Sequence, residues 1–189
     1  MLGSKRKSRQ ISFAEDDKNT VGTLFRLRLP SLVVGLLLGL FLSFVTSKFE
    51  TVLAQNVKLA FFIPFIVYLA DAVGTQTQNI YTRSLKSGKA SFKIYLVKES
   101  FLGIVIGLLF GLLTTLIVIV WLKSFSLATV VGLGTFASTA SAPLVALVIT
   151  ELMQLEKEDP AVWAGPIATV AQDTISVLIY GTVASALLL

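Results

Sequence analysis

The chain contains neither cysteine nor histidine. Without cysteine there is no disulfide framework and no thiolate ligand. Without histidine there is no imidazole ligand, no Ser-His-Asp triad and no Cys-His nucleophile. Any chemistry rests on carboxylates, amides, hydroxyls and backbone groups. Charge is also scarce: 14% of the 189 residues are charged, against about 25% in an average soluble domain. Apolar residues make up 54% of the chain, and mean hydropathy is +0.82. These proportions argue against a water-soluble globule.

The charge that is present is uneven. Sixteen basic and eleven acidic residues give a net charge of +5 and a pI near 9.6. In a soluble protein such a balance suggests nucleic acid; in a membrane protein it first suggests cytoplasmic loops. Residues 1–29 hold seven Lys or Arg and three acids. They lack an apolar run followed by a small-residue cleavage site, so they do not read as a signal peptide. They read as a basic cytoplasmic tail, solvated or lying on the membrane surface.

Five long apolar segments follow, at about residues 30–46, 57–82, 101–122, 127–153 and 160–189. A span needs about 20 apolar residues. The links between them are short and charged, and no shift in composition divides the chain. Residues 30–189 therefore read as one all-α domain, a bundle of five transmembrane helices. Thirteen of the sixteen Lys and Arg fall on one side: seven in the tail, then Arg83, Lys86, Lys89, Lys93, Lys98 and Lys157. Only Lys48, Lys58 and Lys123 fall on the other. The positive-inside rule places the N-terminus in the cytoplasm and the C-terminus outside, in a multi-pass protein of the inner or plasma membrane. The bias explains the high pI without nucleic acid as a partner.

Glycines at 103, 107 and 111, and the set Gly35, Gly39 and Ser43, recur every fourth residue. Such faces let membrane helices approach closely. Residues 132–143, GLGTFASTASAP, are rich in small and hydroxyl side chains and are expected to be buried, with Pro143 bending the helix.

Two ionisable residues lie well inside the expected spans, Asp71 and Asp173. An acid at that depth is costly unless compensated and marks an ion or substrate path. The structural alternative is a protonated or capping acid that joins helices. Asp71 lies about 18 Å from Arg83, and Asp173 about 20 Å from Pro160, at 1.5 Å per residue. Both fall near mid-membrane. In the fifth segment Gly165, Thr169, Asp173 with Gln172 beside it, Ser176 and Tyr180 share a helix face. In the second, Asp71, Thr75, Gln78 and Thr82 do so, bordered by Gly74, Gln76 and Asn79. Two polar faces with one carboxylate each read as walls of a hydrophilic path, and a two-fold homodimer would place that path on its axis. Oxygen ligands alone suit hard divalent cations such as Mg²⁺, Ca²⁺ or Mn²⁺. The acids Glu151, Glu156, Glu158 and Asp159 form a candidate inner mouth, or simply a solvated loop.

The residues resemble the transmembrane domain of the MgtE family of magnesium channels and transporters. The resemblance rests on residues 28–66 (RLPSLVVG to AFFIPFI), on GTQTQNIYTRSL at 74–85 and on DPAVWAGPIATVAQDTISVLIY at 159–180. It implies five helices per protomer and a pore-forming homodimer whose axis is lined by the second and fifth helices. It implies Mg²⁺ as substrate, with Mn²⁺ or Co²⁺ as secondary ions, and it places Asp173 on the family's pore aspartate. Gly165 and Ala168 would then lie on the pore face, and Thr75 and Gln76 on the family's Asn-Gln pair. Two departures stand out. Residues 70–76 read ADAVGTQ, so Asp71 is an added acid, and Gly165 replaces an Asn of some members. The family's soluble N and CBS domains are expected to be absent, with residues 21–29 as a remnant of its amphipathic connector, which leaves a separate regulatory soluble chain as an expected partner. Two other readings stay open. One is a proton- or Na⁺-coupled exchanger using Asp71. The other is a non-transporting membrane subunit. An enzyme is not expected, since nothing near the two acids resembles a nucleophile.

Overall fold

The computed structural model describes residues 17–88, 90–156 and 160–189. Its elements are α1 (Val21–Ser47), α2 (Glu50–Gln55), a 3₁₀ turn (Val57–Phe62), α3 (Ile63–Lys86), α4 (Phe92–Leu122), α5 (Phe125–Leu155) and α6 (Pro160–Leu188). No strand occurs among the described residues. Five stretches are long and apolar enough to cross a membrane. They correspond to α1, the 3₁₀ turn with α3, α4, α5 and α6.

The helices outrun the apolar segments that announce them. α1 begins at Val21, where the Thr20 hydroxyl accepts the Thr23 N–H at 3.4 Å. It continues through Pro30, so the expected connector is continuous with the first span. α4 begins at Phe92 and not near Phe101, because Lys93, Lys98 and Glu99 lower the hydropathy without interrupting the helix. Its 31 residues extend about 46 Å, beyond a hydrocarbon core of about 30 Å. The link after α1 is also more ordered than a loop. α2 and the 3₁₀ turn fold back across the bundle end, and Val52 and Leu59 are buried there. Tyr180 of α6 donates its hydroxyl to the Leu59 carbonyl at 3.0 Å. A Cβ at Gly181 would run into the Phe49 ring. The turn from α4 to α5 passes through Lys123 in the left-handed region (φ 54°) to the N-cap Ser124.

α5 is the central helix. It packs against α3, α4 and α6, while α1 and α3 both rest on α6. Half of its apolar window is buried, against 11% for α1, so α5 is core and α1 is periphery. The small and hydroxyl run makes this position tenable. Ala142, Ser138, Thr139 and Thr135 are fully buried, and Pro143 sits inside the helix.

The glycine stripe of α4 sets its distance from α5. A Cβ at Gly107 would sit 2.7 Å from the Phe136 carbonyl, and one at Gly103 would sit 2.9 Å from that of Ala140. Those obstacles are backbone and cannot rotate away. The stripe of α1 behaves differently. Gly35 meets Pro166 at 3.6 Å, but nothing approaches Gly39 within 4 Å. Gly107→Val is therefore expected to force α4 off α5 and to cost about 1–3 kcal/mol, in the range of overpacked cores. Gly39→Val is expected to leave stability unchanged. Thermal unfolding in detergent compares the two.

Candidate functional site

Asp71 projects from α3 and Asp173 from α6, both half-buried, on helices that touch. The two acids therefore lie on one packed helix pair. Below them Gln78 of α3 reaches toward Gly165 of α6, where a Cβ would lie 3.9 Å from its Nε2. The structure thus brings together Asp71 and Gln78 with Asp173 and Gly165.

The rotation of α3 follows from its apolar and small residues. Ile66, Ala70, Val73, Gly74, Thr77 and Tyr81 are buried, mainly toward α5. That turns Thr75, Gln76 and Asn79 outward, exposed, with Gln78 and Thr82 at the border. Thr169 of α6 is half-buried. Hydrocarbon cannot solvate exposed amides. This surface requires water or another protein surface against it.

Several expected wall residues face inward instead. Gly74 lies against Ala142 of α5, where its Cβ would meet the carbonyl at 3.4 Å. Ala168, Gln172 and Ser176 are buried within the protomer. Tyr180, in the same sequence stripe, holds the 3₁₀ turn. A helix face read from spacing is wider than the strip one neighbour covers, so α5 takes one edge of it.

Among the described residues four enclosed side-chain oxygens make no hydrogen bond: Ser138 Oγ, Thr139 Oγ1, Gln172 Oε1 and Asp173 Oδ1. Each such group costs about 1–3 kcal/mol. Elsewhere the hydroxyls of Thr115, Thr135, Thr150 and Thr174 return to the carbonyl four residues back. The exceptions lie on α5 and α6, at Asp173 and at the residues around Gln172.

At the end of the bundle that carries Arg83 and Lys86, α3 is tied on its other side. Thr77 donates to Glu99 of α4 at 2.8 Å, and Tyr81 donates to Glu151 of α5 at 2.5 Å. The hydroxyls of Ser84 and Tyr95 pair at 2.7 Å. Glu151 thus acts as a tie between helices in the protomer. Glu99 was not anticipated from the sequence, although Thr77, Tyr81 and Ser84 recur at the helical spacing that such a seam requires. Glu156 is exposed at the end of α5, and Glu158 and Asp159 lie outside the described residues. Among the described residues no three acids come together to hold a metal.

A family model described as a divalent cation transporter, MgtE, matches residues 63–183, which run from the start of α3 almost to the end of α6. The chain belongs to the MgtE family. Both aspartates fall within the matched region. The magnesium transporter MgtE of Enterococcus faecalis is 35% identical over 161 residues, covering 84% of this chain and 36% of the relative. That of Bacillus subtilis is 31% identical over 162 residues, with the same coverage. That of Thermus thermophilus is 28% identical over 170 residues, covering 87% of this chain and 37% of the relative. The chain therefore spans little more than a third of the length of these relatives. Family membership and the five apolar spans make it a multi-pass membrane protein.

The seam on α3 is open to a direct check. Tyr81→Phe removes a donor from a charged acceptor and is expected to cost about 1.5–3 kcal/mol. Glu151→Gln keeps an acceptor oxygen and is expected to cost less than half as much. Chemical or thermal unfolding of the purified variants measures both.

Proposed function

We propose that the protein moves divalent cations across the membrane as a homodimer, with Mg²⁺ as main cargo and Mn²⁺ or Co²⁺ as secondary ions. The path runs along the two-fold axis between the α3 and α6 faces of both copies. Asp71, Thr75, Gln76, Gln78 and Asn79 line it from α3, and Gly165, Thr169 and Asp173 from α6. The N-terminus lies in the cytoplasm of a cell whose inner or plasma membrane holds the protein.

The observation that carries this reading is the exposed polar face of α3 beside two half-buried carboxylates within apolar spans. Lipid cannot cover it, whereas a water-filled path can. One protomer offers two acids there and a dimer offers four, enough for a ring of acids that selects cations. Mg²⁺ gives up its waters reluctantly. The half-buried Asp173 carboxylate can accept hydrogen bonds from the water shell of a hydrated cation. The 35% and 31% identical relatives, both named magnesium transporters, support the choice of ion.

The nearness of Asp71 to Asp173 supports a second reading, in which Asp71 carries a proton or Na⁺ in exchange. Mg²⁺ flux that follows an imposed pH or Na⁺ gradient selects exchange. Flux indifferent to both selects a channel.

Two experiments test the path. In proteoliposomes, Asp173→Asn is expected to reduce Mg²⁺ flux to the level of empty vesicles while the dimer persists; undiminished flux would remove that residue from the path. Because the chain has no cysteine, single substitutions report water directly. Thr75→Cys and Asn79→Cys are expected to react with a charged thiol reagent, and Leu112→Cys, on an apolar face of α4, is expected to resist it. Equal protection of all three would place the polar face out of water.

A further inference from the structure

We infer that Gln172 is a positioning residue that sets the direction in which Asp173 points. Its side chain is only 3% exposed and spans the gap between α6 and α5. Nε2 donates to the Ser138 carbonyl at 3.2 Å, with Ser176 Oγ at 3.1 Å and Ser141 Oγ at 3.4 Å also in reach. A backbone carbonyl only accepts, so the amide must turn its NH₂ to Ser138, and its orientation is fixed by chemistry. Ser141 donates its own hydroxyl to the same carbonyl at 2.8 Å, which holds that neighbour in place as well.

Much of the buried face of α6 is small: Ala164, Ala168, Val177 and Ala184 are buried, and contacts of that kind have no preferred direction. A hydrogen bond has one. Tyr180 supplies one further along α6, on the Leu59 carbonyl. Gln172 supplies the one beside Asp173, so the amide fixes the rotation of α6 at that level. Asp173 is the next residue, about 100° further around the helix. Pinning Gln172 to α5 therefore fixes the side of α6 from which the carboxylate leaves. If α6 turned by about 25°, a carboxylate about 6 Å from the axis would move about 2–3 Å. That displacement is larger than a binding site tolerates.

This inference rests on the transport reading for its functional consequence, but not for its geometry, and the test separates the two. Gln172→Leu and Gln172→Met keep the bulk and remove the donor. In proteoliposomes each is expected to raise the half-saturating Mg²⁺ concentration about tenfold, the equivalent of one hydrogen bond. The maximal rate is expected to hold, and preference for Mg²⁺ over Mn²⁺ to fall. In parallel, Thr169→Cys and Asp173→Cys are labelled with a charged thiol reagent, with and without Gln172→Leu. The ratio of the two labelling rates is expected to shift severalfold when the amide is lost. A lower maximal rate at unchanged half-saturation and an unchanged labelling ratio would mean that Gln172 only supports folding, and the inference would fall. Unchanged kinetics and labelling would overturn it as well. If the unsubstituted protein moves no Mg²⁺ but the labelling ratio still depends on Gln172, the transport reading fails and the positioning of residue 173 stands.

Discussion

Hydrocarbon offers no hydrogen bonds, so each polar group in a span must find its partner in the protein or in water. The arrangement of this bundle follows from how that demand is met. The central helix, α5, can be central because its hydroxyls mostly bond to its own backbone, as those of Thr135 and Thr150 do. Its small side chains then admit α4, whose glycines come within backbone contact of Phe136 and Ala140. Polar groups too large to be satisfied in this way are placed on α3 and α6. There they either pair across helices or point outward.

α3 shows both solutions on one helix. On its buried side Thr77 and Tyr81 hold Glu99 and Glu151, so two acids sit among helices at the cost of fixed geometry. On its outer side Thr75, Gln76 and Asn79 have no helix against them in the protomer. The first arrangement makes the second possible. A helix anchored along one side can present amides on the other without rolling them into the core. α6 is held in a comparable way at two heights, through Tyr180 on the Leu59 carbonyl and through Gln172 on that of Ser138. The carboxylate between these anchors has one enclosed oxygen without a partner.

Much of the fold was legible in the sequence, since hydropathy, periodicity and glycine spacing are local properties. Five stretches long and apolar enough to span, the close approach along Gly103, Gly107 and Gly111, and the burial of most of residues 132–143 appear as read. Helix ends were less legible. Charged turns such as Lys93–Glu99 stay helical outside the hydrocarbon, where hydropathy gives no signal. The two aspartates stood out because an acid is rare at that depth. The division of their neighbours between core and surface did not, since Gln172 and Thr169 are equally plausible on a polar face.

Composition alone settled the chemistry available: oxygen ligands only, few charges, and a membrane as solvent. Those limits hold whatever the fold, because they concern which atoms exist. Tertiary structure decided which of those oxygens are spent and which are free. It turned Gln172 and Ser176 toward α5, tied Glu151 to Tyr81 and left Thr75, Gln76 and Asn79 uncovered. The reason is rotational. Sequence spacing fixes where residues lie relative to one another around a helix, but only the neighbouring helices fix which way that helix faces.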